Sequence, residues 1–455
     1  MMSELNRVIW PKSISRSNQV LEIGGCTAIS IAKKYGTPIF VLDEQDLIAR
    51  AEDWKSTLHD VFRDDAGFVY YAAKAFISVE VAKIIAERGL SLDVCTGGEL
   101  AVAAAAKFPA NRIEMHGNNK SEAEIEGAID YGVKSIVVDS IQEIERVADI
   151  ARSRNKVQEI IIRLNPGVEA HTHEYITTAI EDVKFGFSIA SGAAWKAVEL
   201  ISKLPSLKLT GVHSHIGSQI FESEPFDVTA IKHLEFLKRY KDEFNSELPN
   251  LIIGGGFGIA YVEGDNPIEP RELVIRFHKV IKETANRLGL KVPKVSIEPG
   301  RAIIGPSMIT LYKVGTTKEV ALKGGGNRLY VSVDGGMSDN IRTSLYGAEY
   351  TAVIANRIST QPNRDCRIVG KHCESGDVII NSIALPSDIK PGDLLAVAAT
   401  GAYGRSMASN YNHVPRPGVI SVSDGKARTI IRSETSADLL ALEIEEVAQP
   451  LGEQL

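Results

Sequence analysis

Hydrophobic and polar positions follow two different rhythms along the chain, and the change falls near residue 305. Between about residues 65 and 305, short apolar or β-branched runs alternate with longer segments whose apolar residues recur at helical spacing. The strand-like runs are FVYYAAKAF (68–76), SLDVCTGGEL (91–100), RIEMHGN (112–118), SIVVDS (135–140), EIIIRLNPG (159–167), LKLTGVHSHIGSQ (207–219), LIIGGGFG (251–258) and KVSIEPGR (294–301). About eight strand-and-helix units predict an α/β fold, a (β/α)₈ barrel of the TIM type.

Two short sequences of the form S-x-x-E support the helix predictions. Ser121 precedes Glu124 and Ser140 precedes Glu143, each at the start of a helical pattern. In such a capping box, the hydroxyl and the carboxylate satisfy amides that the first helical turn leaves unpaired. We therefore expect a helix to begin at each of these serines.

The rest of the chain predicts a second, C-terminal all-β domain. Its strand-like runs are separated by Gly, Pro, Asn and Asp, and they are MITLYKVGTTKEVAL, NRLYVSVDGGM, DCRIVGKHC, GDVIINSIAL, GDLLAVAAT and RTIIRSE. We expect a Greek-key-like barrel or sandwich over residues 306–455, after a barrel domain at 46–305. Residues 1–45 hold a short helix pattern and a strand that could join either domain, and we assign them to packing with the β domain.

Composition and charge exclude several classes of function. The 455 residues are 44% hydrophobic and 24% charged, and 51 Lys and Arg against 58 Asp and Glu leave a net charge of −7. This balance gives no broad basic surface for nucleic acid. No apolar run approaches the ~18 residues that a membrane span needs. The four cysteines show no metal-like pairing, so we expect a cytoplasmic protein without a disulfide framework and without nucleic-acid or membrane partners.

Polar residues fall at the predicted C-terminal ends of the barrel strands. Active sites of such barrels form at this face, because the loops that follow the strands converge there. The residues in question are Lys74, Asp93, Thr96, His116, Asp139, Asn165, His213, His215, Ser218, Gly254, Gly255, Gly256, Gly258, Glu298, Gly300 and Arg301. We expect them to surround one barrel mouth.

Lys74 is the candidate nucleophile of this group. It lies among apolar and aromatic residues in YYAAKAF. We expect burial to lower the pKa of its amine, as a Schiff-base lysine requires. The alternative is a lysine at a strand end that simply reaches solvent.

The glycine-rich turn GGGFG and the sequence EPGR predict an anion site. Glycines let backbone amides approach an anion, and phosphate sites of TIM barrels form after strands seven and eight. A dinucleotide fingerprint fails, because Ile259 stands where the last glycine is needed. A purely structural tight turn is the remaining alternative.

Glu298 and two histidines complete the predicted chemistry. A buried Glu298 carboxylate at the barrel mouth would favour the protonated form of a pyridine nitrogen, or would pair with Arg301. His213 and His215 share one face of a strand. They could serve as two ligands of one metal ion, or one imidazole could stack on a cofactor ring. We predict no metal, because no cysteine or carboxylate cluster stands beside them in the sequence.

Three further sequences lie outside the predicted strand ends. His171 and His173 in EAHTHEY fall in a loop, where exposed histidines are the default. Cys373 and Glu374 lie in the turn GKHCESGD, and Tyr403 lies between glycines in GAYGRS. Cys373 is either a buried, inert thiol or a proton donor that must be brought to the barrel mouth.

Taken in order, these motifs resemble the fold-type III, pyridoxal-phosphate-dependent decarboxylases of ornithine, diaminopimelate and arginine, and most of all the diaminopimelate decarboxylases. The resemblance runs from about residue 36 to residue 417. Its motifs are YYAAKAF, DVCTGGEL, RLNPGVEAHTHEY, KFGF, GVHSHIGSQI, GGGFGI, EPGR, DGGMSDNIRTSLYGA, HCESGD and TGAY. So many matches in the same order identify the family with high specificity. They identify the family member's substrate with lower specificity.

The resemblance implies a role for each matching residue. Lys74 would bind pyridoxal 5'-phosphate and act in catalysis, and Cys373 would be the proton donor. The cofactor contacts would be Lys74, Asp93, His215, Ser218, Gly255, Gly256, Glu298, Gly300, Arg301 and Tyr403. The substrate contacts would be Arg301, Arg342, Tyr346, Glu374 and Tyr403. Cys373 and Glu374 would come from a second subunit, which implies a homodimer with shared active sites.

The function implied is decarboxylation of an amino acid at a D-configured centre, with meso-2,6-diaminopimelate giving L-lysine and CO₂. Arg301 and Arg342 suggest a distal carboxylate on the substrate, because guanidinium groups match carboxylates well. The alternatives are a decarboxylase of D-lysine or D-ornithine, a racemase of the same barrel type and a catalytically silent regulatory relative. A silent relative predicts loss of Lys74, Cys373 or the phosphate turn, and all three are present.

Overall fold

The computed structural model describes residues 5–168 and 184–444. The chain begins with a small antiparallel sheet, a helix and a strand. These elements are β1 (Ser15–Ser17), β2 (Val20–Ile23), β3 (Cys26–Thr27), α1 (Ala28–Tyr35) and β4 (Ile39–Asp43). Within the described residues, no helix has both the length and the apolar character needed to cross a membrane.

The next part of the chain is a closed parallel barrel. Its strands are β5 (Ala66–Ala72), β6 (Ser91–Val94), β7 (Ile113–Met115), β8 (Ser135–Val138), β9 (Gln158–Asn165), β11 (Leu207–His213), β12 (Asn250–Ile252) and β13 (Lys294–Ile297), and the short β10 (Phe187–Ser188) pairs with the end of β9. Each strand pairs with the next in parallel, and pairing of β13 with β5 closes the ring. The sequence prediction of an eight-unit α/β barrel is confirmed.

Helices cover the outside of the barrel. They are α2 (Glu44–Phe62), α3 (Val79–Glu87), α4 (Gly97–Ala105), α5 (Glu122–Tyr131), α6 (Ile141–Ser153), α7 (Ala193–Ile201), α8 (Glu224–Phe244), α9 (Pro270–Leu288) and the short α10 (Arg301–Ile304). Their apolar faces and the strands form one continuous core. Because the strands are buried on both sides, they show apolar runs rather than alternation.

The two predicted capping boxes differ in the structure. At α5, Ser121 and Glu124 form the full reciprocal box. At α6, Ser140 caps the amide of Glu143, but the Glu143 carboxylate binds the Lys120 ammonium group at 2.5 Å instead of closing the box. For the second box, the serine cap is confirmed and the return bond from Glu143 is wrong. The Glu143 carboxylate binds buried Lys120 instead, a residue distant in the sequence.

The C-terminal part of the chain is rich in strands, as predicted. Its elements are β14 (Met308–Ala321), β15 (Asn327–Val333), α11 (Arg342–Tyr346), β16 (Ala352–Ile354), β17 (Asn363–Val369), β18 (Val378–Pro386), β19 (Leu394–Val397), β20 (Val419–Ser423), β21 (Lys426–Ile431) and α12 (Ser436–Leu440). The main sheet has the order β18-β17-β15-β14-β4-β20-β21. β4 therefore lies inside this sheet, between β14 and β20.

The long strand β14 connects the two parts of the fold. Its first half pairs with β4 and β19, and its second half pairs with β15. Three residues separate it from α10, which itself follows the last barrel strand. The loop after β15 and helix α11 can therefore reach the mouth of the barrel, where they meet the ends of the parallel strands.

Candidate active site

A cavity of about 780 Å³ opens at the C-terminal ends of the barrel strands. Twelve of the residues predicted for the barrel mouth or the site line it, and they are Lys74, Asp93, Thr96, His116, His213, His215, Ser218, Glu298, Arg301, Arg342, Tyr346 and Tyr403. A narrow recess adjoins it, and Gly256 and Gly300 line this recess together with Ser218. The barrel and the segment around α11 both contribute to the cavity wall.

Lys74 lies in a 3₁₀ turn directly after β5, and its side chain is half-buried in the cavity wall. Burial lowers the pKa of its amine, but the acidic groups of Tyr403, Cys95, Asp93 and Glu298 raise it by more. The net shift of the Lys74 pKa is upward, so the expectation of a lowered pKa was wrong for the chain by itself. The acidic groups come from other strands and loops, which the local sequence does not show.

Acidic groups and a histidine form a buried cluster beside Lys74. His116 Nε2 lies 2.9 Å from Glu114 Oε1, 3.4 Å from Glu298 Oε1 and 4.0 Å from Asp93 Oδ1. Burial raises the pKa of Asp93 to about 6 and lowers the pKa of His116 to about 4. Burial also raises the pKa of Glu298. A low dielectric disfavours every charged form here unless a counter-charge is present.

Glu298 has an unsatisfied oxygen that points to a missing partner. Its side chain lines both the cavity and the recess, and its Oε1 has no hydrogen-bond partner among the described residues. His213 Nε2 lies 3.1 Å away but does not form a hydrogen bond with it. A buried acceptor of this kind is costly unless a donor fills the gap. A protonated pyridine nitrogen is a donor of the required type, so the residues present fit a pyridoxal group.

A possible set of metal ligands lies in the same place. One donor atom each from His116, His213 and Glu298 lies within 4.8 Å of the others, and all three residues are buried. The histidine pair considered from the sequence, His213 with His215, is not the set that forms. The carboxylate that the sequence did not place beside His213 comes from the end of β13, on the same barrel mouth.

The glycines of GGGFG and EPGR allow close backbone packing around the recess. A Cβ atom on Gly255 would lie 2.2 Å from the carbonyl oxygen of Glu298, and one on Gly256 would lie 2.3 Å from that of Gly217. Gly256 also has a φ of +101°, which side chains rarely adopt. A Cβ on Gly300 would meet the Cβ of Ala72 at 2.8 Å. The tight-turn role of these glycines is therefore real, and it is compatible with a cradle for an anion.

Arg301 binds polar groups of the cavity wall. Its Nη1 donates to the Tyr261 hydroxyl at 2.5 Å, and its Nη2 donates to Ser218 Oγ at 2.7 Å. The alternative that Arg301 pairs with Glu298 finds no support among the ion pairs of the described residues. Arg342 donates to the Tyr350 hydroxyl at 2.5 Å. Both guanidinium groups are buried, and both line the cavity.

Tyr403 links the C-terminal part of the chain to the lysine. Its backbone amide donates to the carbonyl of Ala75 at 2.8 Å, and its φ is +60°. The Arg301 guanidinium carbon lies 4.7 Å from the centre of its ring. A non-glycine residue at positive φ is uncommon, and such residues cluster at functional sites. Only the family resemblance predicted a role for this tyrosine.

Cys373 and Glu374 lie outside this cavity. Both side chains are exposed, in the turn between β17 and β18. Asp377 holds this turn by accepting the amides of His372 at 2.7 Å and Met337 at 2.6 Å. The expectation of a buried, inert Cys373 was wrong, and within one chain the thiol is not brought to the barrel mouth.

Several cavity residues were missed by the sequence reasoning. Arg163, Tyr261 and Asp265 line the cavity, and so does Cys95, whose thiol donates to Asp93 Oδ1 at 3.7 Å. Arg163 lies on β9 with its side chain toward the mouth, so strand alternation was a usable signal for it. The histidines of EAHTHEY, His171 and His173, fall outside the described residues.

A buried ion pair supports one side of the mouth. Lys120 Nζ donates to the carbonyls of Gly117 and Val137 and to Glu143 Oε1, at 2.5–2.7 Å. Gly117 lines the cavity, so this pair fixes the loop after β7. We expect Glu143→Ala to lower the free energy of unfolding by about 3–5 kcal/mol, because it leaves a buried ammonium group without its counter-charge.

Urea unfolding monitored by circular dichroism measures this effect. The matched control is Asp242→Ala, which breaks an exposed ion pair with Lys238 on α8. That change is expected to cost about 1 kcal/mol or less. Equal losses for the two variants would contradict the structural role of the buried pair.

Comparison with known proteins bears directly on this geometry. Residues 44–305 match the family described as pyridoxal-dependent decarboxylase, pyridoxal binding domain, and this range includes the whole barrel. The match spans more than half of the chain. The chain belongs to the pyridoxal-dependent decarboxylase family.

Relatives within the pyridoxal-dependent decarboxylases resemble nearly the full chain. The diaminopimelate decarboxylase of Mycobacterium tuberculosis is 49% identical over 441 residues, which cover 96% of this chain and 98% of the relative. That of Bacillus subtilis is 46% identical over 432 residues, covering 94% and 97%. Among solved structures, diaminopimelate decarboxylase from M. jannaschii in complex with L-lysine has a TM-score of 0.88 and 29% identity, covering 96% of this chain and 98% of that one.

Proposed function

We infer that this chain catalyses the pyridoxal-phosphate-dependent decarboxylation of meso-2,6-diaminopimelate, which yields L-lysine and CO₂. The observation that carries this inference is a single cavity with two chemically different walls. One wall continues into the narrow recess and presents Lys74 and the unsatisfied Glu298 oxygen. The other wall, at α11, presents Arg342, and Arg301 lies between the two, in the recess and bonded to Tyr261. Relatives at 45–49% identity over nearly the full chain are diaminopimelate decarboxylases, which supports the same reaction.

The first wall suits the cofactor. We propose that Lys74 binds the aldehyde of pyridoxal phosphate. Glu298 would accept a hydrogen bond from the protonated pyridine nitrogen. Asp93 would lie beside Lys74, and His215 would stack on the ring. The phosphate contacts would be Ser218, Gly255, Gly256 and Gly300, with Arg301 and Tyr403 touching both cofactor and substrate. When bound, the cofactor supplies an electron sink for the pair left by the departing carboxylate.

The second wall suits the far end of the substrate. meso-Diaminopimelate carries a carboxylate at each end, and the reaction removes only the one at the D-configured centre. Arg301 and Arg342 would bind the retained carboxylate, since guanidinium groups match carboxylates in shape and charge. Tyr346, Glu374 and Tyr403 would make the other substrate contacts. This placement orients the reacting centre toward Lys74.

Proton transfer needs a donor near the reacting carbon. We propose that Cys373 returns the proton and that Lys74 Nζ takes part once the substrate amine has displaced it. Because Cys373 and Glu374 are exposed and do not line their own cavity, they would reach the cavity of a second copy of this chain. This requires a homodimer with shared sites. The homodimer and the cytoplasmic location remain predictions.

A decarboxylase of D-lysine or D-ornithine is the second candidate. Neither substrate has a distal carboxylate, so two buried guanidinium groups would lack a counter-charge with either of them. The test is a panel of meso-diaminopimelate and both enantiomers of lysine and ornithine, with CO₂ release measured for each. We expect the highest kcat/KM for meso-diaminopimelate and L-lysine as its product. A higher kcat/KM for D-lysine or D-ornithine would overturn the assignment.

The charge of Glu298 is open to a direct test. We expect Glu298→Gln to lower kcat by about 10²-fold to 10³-fold, because a neutral amide cannot stabilise the positive charge on the cofactor ring. Glu298→Asp, which keeps the charge, is the matched variant and should lose less. Steady-state kinetics and the absorption spectrum of the loaded enzyme measure the effect. Unchanged kcat in Glu298→Gln would remove this role.

A further inference from the structure

Tyr261 is a cavity residue for which neither the sequence motifs nor the family resemblance gave a role. It lies in the segment after β12, and its side chain is only 5% exposed while lining the cavity. Asp265 accepts the amides of Tyr261 and Val262 at 2.8 and 3.2 Å, and Thr351 donates to the Tyr261 carbonyl at 2.9 Å. These bonds fix the backbone, so the ring position is set before any ligand binds.

Two buried guanidinium groups surround the Tyr261 side chain. Arg301 Nη1 donates to its hydroxyl at 2.5 Å, and the Arg342 guanidinium carbon lies 4.7 Å from the centre of its ring. The Tyr350 ring packs edge-on against it, with the ring centres 5.3 Å apart. Burial raises the pKa of Tyr261, but the two guanidinium groups lower it by more. The lowered pKa makes the phenol a stronger hydrogen-bond donor, and the two guanidinium groups favour a negatively charged group beside it.

The hydroxyl hydrogen of Tyr261 has no acceptor among the described residues. Guanidinium groups offer donors only, so Arg301 and Arg342 cannot accept it. Tyr350 differs, because its hydroxyl donates to Asn340 Oδ1 at 3.3 Å. The Nε atoms of Arg301 and Arg342 are also buried without a hydrogen-bond partner in the described parts of the chain. Tyr261, Arg301 and Arg342 all line the cavity, so this part of it is rich in hydrogen-bond donors.

We propose that Tyr261 is a third binding group for the distal carboxylate of the substrate, together with Arg301 and Arg342. An ionised carboxylate accepts several hydrogen bonds and donates none, which matches a wall of donors. The phenol would donate to one carboxylate oxygen while its own oxygen accepts from Arg301. Tyr261 would thereby favour substrates that carry this carboxylate over those that lack it. This inference rests on the proposed function and names a further specificity residue for it.

Ligand binding to the cofactor-loaded enzyme tests the proposal without turnover. L-Lysine keeps the distal carboxylate, whereas cadaverine lacks it. We expect Tyr261→Phe to weaken L-lysine binding by about 10-fold, since a hydrogen bond to a charged group contributes ~1.5 kcal/mol or more. Cadaverine binding should change by less than about 2-fold. Isothermal titration calorimetry measures both affinities, and an unchanged cofactor absorption band shows that the site has kept its form.

The matched control is Tyr131→Phe, which deletes a phenol hydroxyl bonded to the carbonyl of Phe108 outside the cavity. It should leave both affinities unchanged. In kinetics, Tyr261→Phe should raise the KM for meso-diaminopimelate with little change in kcat, and should lower the preference over D-lysine about 10-fold. Tyr261→His, which keeps a flat ring and an N–H donor, should restore part of that preference, and it serves as the test variant if Tyr261→Phe does not fold.

The outcomes separate this inference from the proposed function. Wild-type enzyme that neither decarboxylates meso-diaminopimelate nor binds L-lysine would refute the function, and the inference would fall with it. Wild-type enzyme that does both, combined with equal losses of L-lysine and cadaverine affinity in Tyr261→Phe, would overturn the inference alone. No loss for either ligand would also overturn it.

Discussion

Lys74→Ala is expected to lower turnover of meso-diaminopimelate by about 10⁴-fold or more, because the variant loses the amine that forms the covalent bond to the cofactor. The visible absorption band of lysine-bound pyridoxal phosphate should also disappear. Both losses should occur without unfolding, since Lys74 lies in a turn at the cavity wall rather than in the core. Stopped assays of CO₂ release and absorption spectra measure the two effects.

Two variants control for charge and for lysine loss in general. Lys74→Arg keeps a cation in place but should be as inactive as Lys74→Ala, because a guanidinium group does not form the covalent bond. Lys196→Ala removes an exposed lysine on α7 and should retain wild-type turnover. A Lys74→Ala enzyme that keeps both the absorption band and turnover would refute the assignment.

Mixing two inactive variants is expected to restore activity if active sites are shared between subunits. Cys373→Ala should lower turnover by about 10²-fold to 10³-fold, the usual loss when a proton donor is removed. In a dimer formed from Lys74→Ala and Cys373→Ala subunits, one site would hold both an intact Lys74 and an intact Cys373. Random exchange of subunits at equal amounts should recover about a quarter of wild-type turnover, as expected for a two-fold symmetric dimer.

The mixing experiment has its own control. Lys74→Ala mixed with Lys74→Arg places a defective lysine in every site and should recover nothing. Absence of recovery with the Cys373→Ala partner, under conditions where mass spectrometry shows mixed dimers, would contradict sharing of the site. Mixed dimers can be formed by unfolding and refolding the two variants together.

The barrel and the ends of its strands could be predicted from the sequence, because apolar β-branched runs and helical spacing are local signals. The ends of those runs identify four residues of the site, which are Lys74, Asp93, His116 and Glu298. Parallel strands in a closed barrel bring all their C-terminal ends to one mouth. Local pattern and fold geometry together therefore placed these residues in one cavity.

The remaining features depend on contacts between distant parts of the chain. The pKa of Lys74 rises because Tyr403, Cys95 and Asp93 lie near it, and none of these is its sequence neighbour. Tyr261 comes nine residues after the end of β12, and only the folded segment brings it between two arginines. No local spacing rule connects such residues.

Helix α6 and Cys373 show the same limit. The Glu143 carboxylate was expected to close a capping box, but buried Lys120 competes for it and offers full charge. Cys373 was weighed as a buried thiol, yet its turn lies exposed at the edge of the β-rich sheet. Both errors come from partners that the local sequence does not show. For Glu143 the partner is Lys120 of the same chain, and for Cys373 we propose a second copy of the chain.

Borohydride reduction of the cofactor-loaded enzyme, followed by digestion and mass spectrometry, tests most directly whether Lys74 holds the cofactor against Glu298. Reduction fixes the bond between a lysine and the pyridoxal group, so the modified residue can be identified by its mass. We expect one modified peptide, which contains Lys74 within residues 68–76. Modification of another lysine such as Lys120, or none at all, would contradict it.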